Sequence, residues 1–214
     1  MTDTLRLSKR LAAQIPCSRR DAELYIEGGW VSVDGVVVEA PQHQVRAEQV
    51  ITLHPEARPD PVEPVTILLH KPAGHDADAD TGPRPAFMLL SPETRAPDHS
   101  GIRLLHRHFT RLAAPLPLET EASGLLVLTQ DGRVIRKLTE DSHLLEQEYV
   151  ADISGNITDA ALASLQEPVT FDGQPLPPVK VSRQSDSRLR FALKGGVPGQ
   201  VAWLCERAGL TPHR

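Results

Sequence analysis

The side chains of this sequence best placed to do chemistry are cationic and lie near its start. Arg6, Lys9 and Arg10 fall in one short run, and Arg19 and Arg20 directly follow Ser18. An arginine fork matches phosphate oxygens, and unpaired N–H groups at a helix start add to the attraction. Two short helices with basic residues near their starts can therefore meet the phosphates of an RNA backbone. The plainer reading of an arbitrary basic cluster is solvated charge on two small helices.

Other clusters suggest chemistry and then fail on spacing. His75–Asp80 resembles a calcium loop. Counted from Asp76, however, Thr81 and Phe87 stand where an EF-hand needs Gly and Glu, so an acidic surface loop is expected. His99, His106 and His108 match no zinc pattern, and the neighbouring Arg103 and Arg107 disfavour a cation. The run Arg103–His108 fits better as an extension of an RNA-facing patch. Cys17 and Cys205 lack CxxC or His spacing, which argues against a disulfide framework and for a reducing cytosol. No Gly-rich phosphate loop, nucleophile elbow or Cys/His pair is present, and neither metal nor cofactor is expected.

The elements that must position these residues can be read from periodicity and punctuation. Leu5, Leu7, Leu11 and Ala12 share one side of a helix over Leu5–Ala13, with the basic residues projecting elsewhere. Ser18 occupies an N-cap position with Asp21 as an approximate capping box. It opens a helix over Arg19–Glu27 that Gly28-Gly29 stops. Val31–Val33, the Asp34-Gly35 turn and Val36–Val38 form a hairpin signal, and Gln49–Leu53 adds a short strand. His54–Pro64 holds four prolines and three acidic residues. The expected organisation is a first domain over 1–54, a Pro-rich linker over 55–64 and a second domain over 65–214. In that second domain strands are expected at Val65–His70, Gly124–Gln130, Glu148–Ser154, Val179–Gln184 and Leu189–Lys194. Helices are expected at Arg133–Thr139, Thr158–Gln166 and Gln200–Ala208, and the stretch from Gly74 to Pro97 is loop-rich. Strands and helices without regular alternation indicate an α+β fold.

Composition sets outer limits. Forty per cent hydrophobic residues suffice for packed cores, while 19 prolines and eight aromatics imply many loops around aliphatic cores. The net charge of −5 means that RNA attraction must come from clustering, not from the total. No apolar run approaches the ~18–20 residues that span a bilayer, and no signal-peptide block opens the chain. A soluble, cytoplasmic monomer is expected.

Two stretches carry a resemblance. The runs Arg6–Ala12 and Cys17–Val38 resemble, over residues 5–53, the S4 RNA-binding domain. This resemblance implies binding to structured RNA through Arg6, Lys9, Arg10, Ser18, Arg19 and Arg20, by shape and phosphate more than by base reading. Farther on, Ile67–Gly74 resembles a strand ending in N-K-P-x-G, and Leu118–Gly132 the later part of G-R-L-D-x-x-T-x-G-L-L-L-L-T-x-D-G. Glu146–Val150 resembles E-K-E-Y-x-V, Pro178–Val181 resembles P-A-K-V, and Gly196–Leu210 resembles a closing G-x-N-x-Q-I-R-R-M-C-E-x-x-G. In order and spacing these blocks resemble the S4-linked ribosomal RNA pseudouridine synthases.

The implied fold is a small αL-type S4 domain followed by a mixed α/β domain with a central, largely antiparallel sheet. The implied chemistry is the isomerisation of a flipped-out uridine in ribosomal RNA, in which one Asp acts as the base is detached, turned and rejoined through carbon. Glu119 stands at the position of that Asp, and Tyr149 at that of the tyrosine stacking near the base. Lys71 is carried over as an RNA contact, with a strand-capping role as its plainer alternative. Leu116, Pro117, Gln147, Ala202 and Trp203 depart from the pattern, removing four of the family's cationic positions. A carboxylate can serve as nucleophile or base, but a displacement of roughly 1 Å can cost about 100-fold in rate. RNA binding with impaired catalysis is therefore expected. The alternatives are an active synthase using Glu119, or a second domain turned into a protein-interaction surface with Trp203 as exposed anchor.

Overall fold

The computed structural model of the chain describes residues 4–77, 82–97, 101–171 and 173–213. Two compact units emerge, residues 1–64 with 97–110, and residues 65–96 with 111–214. The segment Pro97–Thr110, which lies in the span expected for the second domain, thus groups with the first unit.

The first unit opens with strand β1 (Thr4–Arg6), helix α1 (Leu7–Gln14) and helix α2 (Arg19–Glu27). It continues through β2 (Val31–Val33), β3 (Val36–Val37), β4 (Gln44–Arg46) and β5 (Ile51–Leu53). The first helix starts two residues later than its apolar pattern suggests. Thr4–Arg6 instead pairs antiparallel with β4, setting Leu5 against Val45, and Leu5 stays partly exposed. Leu7 and Leu11, one helical turn apart, are completely buried and pack with Ala22, Ile26, Val31 and Ile51.

Helix α2 begins where Ser18 predicts. The Ser18 hydroxyl accepts the Asp21 N–H at 3.0 Å, and the Asp21 carboxylate accepts the Ser18 N–H at 3.2 Å. In the β2–β3 turn both Asp34 (φ 51°) and Gly35 (φ 83°) take positive φ, the geometry that matches strand twist in a two-residue hairpin. The Asp34 carboxylate accepts from Val50 N–H and from the Gln49 amide, each at 2.8 Å. These bonds hold its pKa low and fasten the turn to the start of β5. The three strands run in the order β3-β2-β5, all antiparallel.

In the second unit, β6 (Thr66–Lys71) pairs antiparallel with β7 (Gly124–Thr129), placing Lys71 opposite Gly124. Then follow α3 (Gly132–Thr139), β8 (Glu146–Ser154), α4 (Asp159–Leu165) and the short hairpin β9 (Thr170–Phe171) and β10 (Gln174–Pro175). The chain ends with β11 (Lys180–Ser185), β12 (Arg188–Lys194), α5 (Gln200–Arg207) and β13 (Thr211–Pro212).

Where one central sheet is expected, the described residues form two principal ones. They are the β6–β7 pair and a four-stranded antiparallel sheet in the order β11-β12-β8-β13. Each has its own core. Leu126 and Leu128 of β7 pack with Ala77, Ala86 and Leu112. Phe191, Leu189 and Leu193 of β12 and Ala151 and Ile153 of β8 pack against Leu204 and Cys205 of α5. The Cys205 thiol, enclosed there, is pushed up to about 11 by burial. No helix among the described residues is long and apolar enough to cross a membrane.

Candidate active site

Lys71 ends β6 with no exposed surface. Its ammonium donates to four main-chain carbonyls: His75 at 2.7 Å, Ala122 at 2.7 Å, Thr120 at 3.1 Å and Pro72 at 3.3 Å. An ammonium removed from water is tolerated when such dipoles replace its hydration. Burial lowers the Lys71 pKa, while the charges of Asp76, Glu119 and Glu121 oppose that shift. The expectation that Lys71 meets RNA is corrected by this geometry. Its charge points inward and ties the segment after β6 to the segment before β7.

The tie fixes one turn. Thr120 O accepts from Lys71 and also from Gly74 N–H at 2.7 Å, while the Thr120 hydroxyl donates to Asp76 Oδ1 at 2.8 Å. Asp76 also accepts from Arg84 N–H, and its pKa is lowered mainly by the Thr120 and Arg84 hydrogen bonds. Ala122 N–H returns to Glu119 O at 3.1 Å, closing a turn that presents the Glu119 side chain. Gly74 takes φ 79°, a conformation that suits glycine as the backbone reaches this turn.

Glu119 is half-buried, and its Oε1 accepts from Gly199 N–H at 2.6 Å. Gly199, at φ 81°, is the N-cap of α5 and has no side chain to cap the helix itself. The carboxylate accepts the N–H of the N-cap residue itself, with its charge at the favourable end of the helix dipole. Tyr149, on β8 opposite Phe191, is half-buried and donates its hydroxyl to Gln147 Oε1 at 2.8 Å. Burial raises the Tyr149 pKa, and the charge of Glu119 raises it further. The two predicted residues therefore share one electrostatic environment. Gln147 Nε2 is enclosed without a hydrogen-bond partner among the described residues.

The departures from the family pattern put no cation at positions 117, 147, 202 or 203. Pro117 is exposed two residues before Glu119. Ala202 and Trp203 are half-buried on α5, with Trp203 packed against the core and edge-on to Phe171 at 5.2 Å. A Trp203 built into the core is not the exposed anchor that a protein-docking surface would offer.

In the first unit, Arg6, Lys9, Ser18, Arg19 and Arg20 are exposed and Arg10 is half-buried. Arg10 donates to the carbonyls of Arg46 (3.1 Å) and Ala47 (3.0 Å), so part of its donor set serves the fold. The Ser18 hydroxyl is committed to the capping box. The amides of Leu7 and Ser8 at the start of α1 already donate to the carbonyls of His43 and Pro41. The first amides of α1 are therefore already engaged within the fold.

Sequence reading missed the role of Pro97–Thr110. Arg103 lies 4.4 Å over the Trp30 ring, His106 N–H donates to Glu39 at 2.8 Å, and Arg107 pairs with Glu27 at 3.6 Å. Leu105 sits against Gly29, where an added Cβ would come within 2.7 Å. His108 is buried, and its Nδ1 accepts from Leu105 N–H at 3.3 Å. Asp78, Asp80 and Thr81 of the acidic loop, with His99, lie outside the described residues. Among the described residues no three His, Cys, Asp or Glu side chains come together to hold a metal ion.

No family model matches the chain. It is 27% identical over 194 residues to an uncharacterized RNA pseudouridine synthase of Aquifex aeolicus, covering 90% of this chain and 75% of that one. It is 31% identical over 166 residues to ribosomal small subunit pseudouridine synthase A of Pseudomonas aeruginosa, covering 75% of this chain and 66% of that one. A crystal structure of a pseudouridylate synthase matches with a TM-score of 0.58 over 97% of this chain and 85% of that chain, at 21% identity, a likeness of fold.

Proposed function

We propose, from the premise that this chain belongs to the RNA pseudouridine synthase family, that it binds structured ribosomal RNA, receives a flipped uridine beside Glu119 and Tyr149, and isomerises it slowly. The observation that carries this reading is the turn clamped by Lys71. It carries the Glu119 carboxylate, whose charge adds to burial in raising the Tyr149 pKa. A carboxylate held on a fixed backbone can attack or take a proton, and an aromatic ring half-open to solvent can stack on a base. Slowness follows from what surrounds them. Pro117, Gln147, Ala202 and Trp203 supply no positive charge where negative charge gathers.

Within the first unit, residues 1–54 would act as the docking module of S4 type, followed by the 55–64 linker. Arg6, Lys9, Arg19 and Arg20 are the contacts that remain free of main-chain duties, and Arg10 is shared with the fold. Isomerisation breaks the N1–C1′ bond and forms a C5–C1′ bond while the C5 proton is released and N1 gains one, so no atom or electron is gained or lost and the reading calls for neither metal nor cofactor. Cytoplasmic action as a monomer completes the reading.

The test is the pseudouridine content of in vitro transcribed ribosomal RNA after incubation with the wild type and with Glu119→Ala. Trace product from the wild type, none from the variant, and equal RNA binding by both would support the reading. Rapid stoichiometric product that vanishes in Glu119→Ala would make the protein an efficient synthase and overturn the slow one.

A further inference from the structure

We infer that the Glu119–Gly199 hydrogen bond is an autoinhibitory latch, in which the carboxylate that would act on uridine is occupied by the N-cap amide of α5. The inference rests on the site reading given above. It extends that reading by naming the contact that holds the side chain back.

Both ends of the contact are fixed. On one side, Lys71, Gly74 and Asp76 hold the turn through Thr120 and Ala122, so the Glu119 backbone cannot follow its side chain. On the other, Gln200 is buried and its Oε1 accepts from Val197 N–H at 3.2 Å, while Leu204 and Cys205 anchor α5 in the core. Gly199 O accepts from Trp203 N–H at 3.0 Å, so this residue begins the helix. An amide at that position has no acceptor within the helix. Glu119 provides one at 2.6 Å from 80 residues away.

A charge-assisted bond of that length commits one oxygen and the rotamer of the whole side chain. The extra methylene of glutamate is what spans the gap. An aspartate on the same fixed turn would withdraw its oxygens by roughly 1 Å or more, opening the contact beyond the roughly 3.2 Å limit of a hydrogen bond. Shortening the side chain should therefore free the carboxylate from Gly199 and leave that amide without its acceptor.

Two measurements on the whole chain test the latch. Hydrogen exchange of the Gly199 amide reads the contact directly. It is expected to be at least about tenfold faster in Glu119→Asp than in the wild type, as for removal of a bond to a charged group. Pseudouridine formation on transcribed ribosomal RNA reads the consequence, with Glu119→Asp expected to exceed the wild type by at least about tenfold. Unchanged Gly199 exchange overturns the latch outright. Faster exchange with no gain in product overturns its inhibitory role. The two readings fail separately, since rapid product from the wild type refutes slow catalysis whereas the exchange experiment is indifferent to it.

Discussion

Four main-chain carbonyls converge on the ammonium of Lys71, a side chain with no exposed surface. Replacing it by methionine keeps the aliphatic bulk but removes the ammonium donor from all four, with Thr120 O keeping the Gly74 N–H. The expected cost is about 3 kcal/mol of unfolding free energy, read by urea denaturation. RNA affinity of the folded variant should keep the wild-type salt slope, because Lys71 meets no phosphate. A shallower slope would return Lys71 to the RNA-facing set. At this scale the sequence was partly legible. Motif order singled out Glu119 and Tyr149 as candidates, since both sit in runs whose residue types repeat a known pattern. It did not reveal Gly199, because a glycine amide has no side-chain signature and its partner lies on another loop. Nor could motif order tell an inward lysine from an outward one, because that depends on how many carbonyls the loops return to it.

At the scale of elements, the segment Pro97–Thr110 depends on a neutral histidine. Nδ1 of His108 accepts from Leu105 N–H, and burial, reinforced by Arg107 and opposed by Glu39, lowers its pKa below the ordinary 6.5. Between that lowered value and 6.5 the unfolded chain binds a proton that the folded chain refuses. Stability is therefore undiminished above 6.5 and falls as pH drops through this window. The melting temperature should decline less between pH 7.5 and 5.5 in His108→Leu than in the wild type. Identical declines would clear His108 of the effect. The helices and the Asp34-Gly35 hairpin were legible because capping boxes, glycine stops and periodicity are local. Pairing of β1 with β4 and the packing of Arg103 on Trp30 were not, since each joins residues about 40 or more apart and neither leaves a repeating pattern. The late start of α1 follows from the same cause. Leu5 fits a helical stripe, yet tertiary pairing with Val45 takes it into a strand.

For the whole molecule, a net charge of −5 opposes approach to RNA, so binding must depend on how charge is distributed. Arg19 and Arg20 show why the first turn of α2 remains attractive. Both lean toward the single carboxylate of Glu23, at 3.4 Å and 3.9 Å, and their side chains are 65% and 66% exposed. One carboxylate cannot neutralise two guanidinium groups, and exposed pairs of this kind are worth about 0–1 kcal/mol. Exchanging Glu23 for phosphate oxygens therefore costs little, and the released counterions favour it. Arg19→Ala combined with Arg20→Ala should weaken binding to structured ribosomal RNA and reduce the slope of log affinity against log salt by about 1 for each arginine–phosphate pair removed. The thermal midpoint should hardly move, because neither side chain is buried and the Ser18–Asp21 cap is untouched. Filter binding across a series of salt concentrations measures affinity and slope together, and a melting curve of the variant reads the midpoint. An unchanged slope with unchanged affinity would remove this face of α2 from the RNA interface and leave the acidic chain without its proposed means of docking.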